Sequence, residues 1–179
     1  MTDRKIIVIV GPSGSGKTSI GKILSENGFP RLTTTTTRGI RAGEQEGIDY
    51  YFKDSHEMTP EDFVEQTVYN NNLYGLTKDE VATMLSEHDI VHVSLDKSGA
   101  KFVKKAFPNE TFTVFVKITE DEMIERMQRR GDPQEKIAER LKFSRATNEL
   151  DPPKEVDLIV EIIDVKQTAQ QIIDAVLKE

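Results

Sequence analysis

The 179-residue chain has no cysteine and no tryptophan. Without cysteine there can be no disulfide and no thiolate metal site. No apolar run approaches the ~20 residues that span a bilayer, so no membrane partner is expected. The opening MTDRK lacks the apolar stretch of a signal peptide, and the expected location is cytoplasmic. Basic charge is short as well: 24 Lys and Arg against 31 Asp and Glu give a net charge of −7 and a pI near 5.1. A uniformly basic face for nucleic acid is thereby excluded, although an anion can still be held where the few basic residues converge in a cleft. His56, His88 and His92 show no metal-ligand spacing, and His92 reads as a hydrogen-bonded strand histidine. What remains, 36% apolar and 31% charged residues, describes one globular domain with a well-solvated surface.

Four runs rich in Val and Ile stand out, at 5–10, 89–95, 111–118 and 156–162. They are apolar nearly throughout, as in strands covered on both faces. Helical patterns lie at 17–27, 120–130, 134–148 and along the C-terminal segment from Val165 to Leu177. This alternation predicts an α/β fold with a parallel sheet, and a short fifth strand is expected near 31–34. Residues 35–88 break the rhythm and read as an inserted lobe with helices near 59–68 and 77–87. Residues 129–136, RRGDPQEK, interrupt two helical patterns and suggest a small mobile lid.

The first strand runs into GPSGSGKT: Gly11, Pro12, Ser13, Gly14, Ser15, Gly16, Lys17 and Thr18. This is G-x-x-x-x-G-K-[ST] in its required place, after a strand and at a helix start. The glycines let successive N–H groups turn toward phosphate oxygens, and the helix adds the positive end of its dipole. Lys17 is then expected to reach the β- and γ-phosphates of ATP, with the Thr18 hydroxyl on Mg²⁺. The guanine-reading Asn-Lys-x-Asp element of a switch protein is absent. A small-molecule kinase must also clamp an anionic acceptor, and TTTTTRGIRAGEQEGIDYYF (33–52) offers the groups: paired arginines for a phosphate, with neutral hydroxyl donors beside them.

The spacing of Thr36, Thr37, Arg38, Arg41, Glu44, Gly47, Tyr50 and Phe52 resembles the signature of guanylate kinases. The likeness continues over nearly the whole chain, through FVEQ (63–66), NLYG (72–75), SLDKSG (94–99), RMQRRG (126–131) and ERL (139–141). It implies a P-loop three-layer fold with a five-stranded parallel sheet, a core of 1–34 and 89–179, an acceptor-binding lobe of 35–88 and a lid near 129–136. It implies transfer of the γ-phosphate of ATP to GMP or dGMP, with Mg²⁺ as cofactor and small nucleotides as the only partners, by a monomer or homodimer. It also implies roles for single residues. Arg38, Arg41, Tyr50 and Tyr74 belong to the acceptor phosphate, Glu65 and Thr34 to its base, and Glu44 to the acceptor-binding set. Asp96 lies near the metal with Thr18, and Arg126, Arg130 and Arg140 join Lys17 in gripping the ATP phosphates.

The sequence departs from that pattern in four places. Leu76 replaces a Thr or Ser after Tyr-Gly, Ser94 replaces the first Asp of an Asp-x-Asp strand end, and Glu161 stands where an Asn is usual. The segment between Phe52 and Glu65 is shorter by roughly four residues, a loop-length change. The phosphate clamps are intact and the base-reading set is reduced, so looser base selectivity is expected, with Leu76→Thr tightening GMP binding. Two other readings stay open at this point: a related kinase with a different phosphorylated acceptor, and a non-catalytic binding module of the same fold.

Overall fold

A computed structural model describes residues 4–69 and 71–179. Residues 1–3, part of the opening read above as no signal peptide, lie outside the described residues. Strands β1 (Lys5–Val10), β6 (Ile90–Ser94), β7 (Thr111–Val116) and β8 (Leu158–Val160) form one parallel sheet in the order β6-β1-β7-β8. Strand β1 shows why its residues are apolar throughout. Ile6, Val8 and Val10 face one cluster with Val81 and Leu85 of α2 (Lys78–Glu87) and with Ala100 and Val103 of α3 (Lys97–Ala106). Ile7 and Ile9 face the other, with Ile20 and Leu24 of α1 (Lys17–Glu26) and Ile172, Ile173 and Val176 of α6 (Val165–Val176). Burial on both faces stabilises each such side chain by about 1.5–3 kcal/mol, which is the glue of the three layers.

The sheet has four strands, not the five expected. Stretch 31–34 contributes a single parallel bridge from Arg31 to His92. There the N–H of Leu32 donates to the His92 carbonyl (2.8 Å), and the His92 N–H donates to that of Pro30 (3.0 Å). At Thr33 the chain turns away, because its N–H donates to the Glu80 carboxylate (2.7 Å) in place of a strand neighbour. The next residues enter a second sheet of β2 (Thr35–Thr36), β3 (Tyr51–Phe52), β4 (Phe63–Tyr69) and β5 (Asn72–Thr77), ordered β3-β2-β5-β4.

Strand β4 overturns the helix expected near 59–68, of which only a 3₁₀ turn at Pro60–Asp62 is helical. Val64, Thr67 and Val68 are β-branched and stiff in a helix, and the stretch pairs antiparallel with β5 (Thr67 opposite Tyr74). The expected helix at 77–87 is α2, capped by Thr77. Helix α3 was not foreseen: Gly99 and four lysines hide its narrow apolar face of Ala100 and Val103. Helices α4 (Glu120–Arg129) and α5 (Gln134–Ala146) share a small core of their own around Met123, Met127 and Ile137. No described helix is long and apolar enough to cross a membrane.

Candidate active site

The turn between β1 and α1 has a backbone that only glycine adopts easily. Gly16 caps α1 at φ +99°, a left-handed conformation that strains any side-chain-bearing residue. The Lys17 ammonium folds back and donates to the carbonyls of Gly11 and Pro12, the loop's own oxygens. Burial lowers its pKa, Glu149 opposes that shift, and Arg140 adds to it. Ser15 is fully buried, with a hydroxyl that has no partner among the described residues. Arg126 reaches across from α4 to donate to the Gly14 carbonyl at 2.7 Å. Arg140, on α5, pairs with Glu149. Arg130 is exposed and pairs with Asp132 beside it, away from these contacts.

A second group assembles at the edge of the β2–β5 sheet. The Arg38 guanidinium donates twice to Glu44 (2.9 and 2.7 Å) and lies 5.5 Å from the centre of the Tyr50 ring and 5.8 Å from that of Phe52. Glu44 raises the pKa of Arg38 further, with help from Tyr74, and is itself lowered by Arg38. The Tyr50 and Tyr74 rings meet edge to face at 5.9 Å. Glu44 also accepts the backbone N–H of Arg41 (2.8 Å), whose side chain is exposed. Glu44 thus fixes the loop and one face of Arg38, leaving the cation and two phenols together.

The third group is buried. The Glu65 carboxylate, 9% exposed, accepts the Leu76 N–H at 3.1 Å. Asp96 caps α3 by accepting the Gly99 N–H at 2.7 Å. The two acids converge on Gly99, where an added methyl would lie 3.1 Å from Glu65 Oε2 and 3.3 Å from Asp96 Oδ1. Burial and the nearby Asp96 charge push Glu65 up to about 7. Thr34 does not touch this pair. It lines a cleft of about 520 Å³ together with Thr18, Tyr50, His92 and Ser94. His92 bonds Ser25 (2.9 Å), and burial pushes it down to about 4, so it is a neutral strand histidine as expected.

Comparison with known proteins decides the family. The guanylate kinase family model matches residues 3–179. The chain belongs to the guanylate kinase family. It is 31% identical over 177 residues to the guanylate kinase of Fusobacterium nucleatum, covering 96% of this chain and 95% of that protein. To that of Caldanaerobacter subterraneus it is 34% identical over 181 residues, covering 97% and 87%. The match to the guanylate kinase of Mycoplasma pneumoniae, 34% over 136 residues, covers 72% of this chain and 57% of that protein. A solved guanylate kinase from Anaplasma phagocytophilum superposes at TM-score 0.71 and 23% identity, over 97% of this chain and 85% of that one, which supports the α/β P-loop kinase fold.

Within this guanylate kinase family member the departures take on structural meaning. Leu76 is fully buried in the cluster below the first sheet, so its side chain serves the core while its N–H holds Glu65. Glu161 is exposed, 3.9 Å from Lys117. Ser94 faces the cleft with Thr34. The threonine run is mainly structural: Thr33 N–H bonds Glu80, Thr36 bonds the Leu73 carbonyl (2.9 Å), and Thr37 accepts the Leu73 N–H (2.9 Å). Two acids escaped the sequence reading. Glu80, buried in α2, also accepts the Tyr51 hydroxyl (3.1 Å) and so ties edge strand β3 and the segment leading into β2 to the core. Its only sequence signal is a position three residues after Thr77, which reads as a capping pattern. Glu149 carried no signal at all.

Proposed function

We propose that this chain transfers the γ-phosphate of ATP to GMP or dGMP, giving ADP with GDP or dGDP. The observation that carries the reading is the shared cleft, to which the P-loop helix brings Thr18, the end of the core segment brings Thr34 and the lobe brings Tyr50. A donor loop and an acceptor clamp that open on one space suit in-line transfer, where positioning and charge do most of the work. In this reading residues 35–88 are the acceptor lobe and 129–136 the tip of the lid.

Lys17 leaves the Gly11 and Pro12 carbonyls for the β- and γ-phosphates, with Arg126, Arg140 and, on lid closure, Arg130 beside it. Thr18 is exposed at the start of α1, and Asp96 keeps one oxygen beyond its capping bond, which suits Mg²⁺ held by one or two protein oxygens and donor phosphates. Mg²⁺ bound there supplies charge neutralisation. Arg38, Arg41, Tyr50 and Tyr74 grip the acceptor phosphate, with Glu44 steadying Arg38. An acceptor phosphate oxygen forms its bond to the γ-phosphorus as the bond to the β–γ bridging oxygen breaks, and ADP leaves with that electron pair. Glu65 accepts the N1–H and the exocyclic amine of guanine, and Thr34 faces the base from the cleft.

The test is ADP release from ATP and Mg²⁺ with GMP, dGMP, AMP, UMP, CMP and IMP in parallel. GMP and dGMP are expected to be the best acceptors. Preference for a base lacking both N1–H and the exocyclic amine would overturn the role of Glu65, and no turnover with any acceptor would overturn the activity.

A further inference from the structure

Glu149 lies just beyond α5, after Asn148 at φ +50°. Its carboxylate pairs with Nη2 of Arg140, and the two side chains are only 20% and 26% exposed. Glu149 Oε2 and Arg140 Nε are both buried with no partner among the described residues. Arg140 also lies over the Phe143 ring, 4.9 Å from its centre. The turn that carries Glu149 is tied from several sides. Lys97, at the start of α3, donates to the Asn148 carbonyl, the Glu149 N–H donates to Ser144 (3.0 Å), and Leu150 packs on the α4–α5 core. The pair is near enough to Lys17 for both charges to act on it.

The geometry points to Glu149 as a positioning residue: its carboxylate holds one edge of the Arg140 guanidinium beside the P-loop and leaves the remaining N–H groups for the donor phosphates. A lone arginine samples many rotamers, and fixing its planar fork before the ligand arrives removes that cost from binding and transfer. The acid also offsets repulsion between Arg140 and Lys17 while no phosphate is there. Glu149 engages Arg140 through Nη2, so the other guanidinium N–H groups remain as donors that a polyphosphate can accept. Glu149 touches no substrate in this scheme and acts only through Arg140. The inference rests on the proposed role of Arg140 at the donor phosphates.

A double-variant cycle of Arg140→Ala, Glu149→Gln and the pair tests it, read on kcat, on both KM values and, by calorimetry, on ATP affinity. Glu149→Gln keeps the side chain's size, and circular dichroism checks its fold. The expected result is a loss of roughly tenfold in kcat or ATP affinity, with KM for GMP within about twofold. The double variant is expected to be no worse than Arg140→Ala, and Glu149→Asp to recover part of the loss. Unchanged kcat and ATP affinity in folded Glu149→Gln, or losses that multiply in the double variant, would overturn the positioning role. Absence of turnover in the unmodified protein would instead overturn the proposed activity, and the ATP-affinity cycle still decides the Glu149–Arg140 coupling.

Discussion

The two sheets are held by different forces. In the parallel sheet, every residue of β7 and all but Lys5 of β1 are buried, and most of those are apolar. In the second sheet and its loops (35–77), Phe63 and Leu76 are the only buried large apolar side chains among the described residues. Its strands are fastened by polar bonds: Glu80 to Thr33 and Tyr51, Glu46 to the Phe52 N–H, Arg31 to the Ile48 and Asp49 carbonyls, and Thr36 and Thr37 to Leu73. Each such bond contributes a net of about 0.5–1.5 kcal/mol, against a larger return from each buried Ile or Val. The P-loop, proposed to hold the donor, therefore stands on a stiff base, and the proposed acceptor clamp on a lightly fastened one. Amide hydrogen exchange should show β2–β5 opening more readily than β1 and β7.

The sharpest way to break this contrast is on the donor side. Lys17→Ala should lower turnover roughly a hundredfold or more, the loss typical of removing a preorganised charge, while thermal unfolding stays close to that of the unmodified protein. A folded variant with unchanged turnover would remove the P-loop from the mechanism. Leu76→Thr probes the one side chain of the second sheet that serves the core. It should cost about 2–4 kcal/mol in urea unfolding and leave GMP binding no tighter, because the new hydroxyl would be buried among apolar groups. Tighter GMP binding would return Leu76 to the base site.

Glu65 sharpens the contrast through pH. Its folded pKa of about 7 stands above the ordinary 4.5, so the folded state favours the protonated acid. That contribution to stability is complete below about pH 4.5 and is lost as pH rises through about 7. Relative to Glu65→Gln, the unmodified protein should lose about 2–3 kcal/mol between these pH values, measured by urea unfolding at each. A constant difference would mean that the acid is not held in a low-dielectric site. The smallest effect is expected from Glu80→Gln, about 1 kcal/mol of stability, with hydrogen exchange rising in β2 and β3 and not in β1.

The same contrast explains what could be read from the chain. Apolar runs such as KIIVIV and TFTVFV announce strands because burial on both faces requires them, and the P-loop follows from fixed residues in a fixed place. Arg38, Glu44, Tyr50 and Tyr74 were found by motif, and the structure brings them together. β4 escapes the pattern because the apolar residues of FVEQTVY fall in adjacent pairs, at 63–64 and 68–69, and do not alternate, and its order comes from pairing with β5. The missing fifth strand and the role of Leu76 depend on where the chain crosses between sheets, which the buried acid Glu80 marks by taking the Thr33 N–H. Glu149 pairs across a turn with a residue of the preceding helix, and no local pattern encodes that contact.

The division of labour itself is tested by crossed titration. Calorimetry would measure ATP and GMP separately against Arg38→Ala and Arg126→Ala, each checked for folding. Arg38→Ala is expected to weaken GMP by roughly two orders of magnitude and leave ATP within about twofold, with the reverse pattern for Arg126→Ala. Equal losses of both nucleotides in either variant would contradict a donor loop on the apolar core facing an acceptor clamp on the polar lobe.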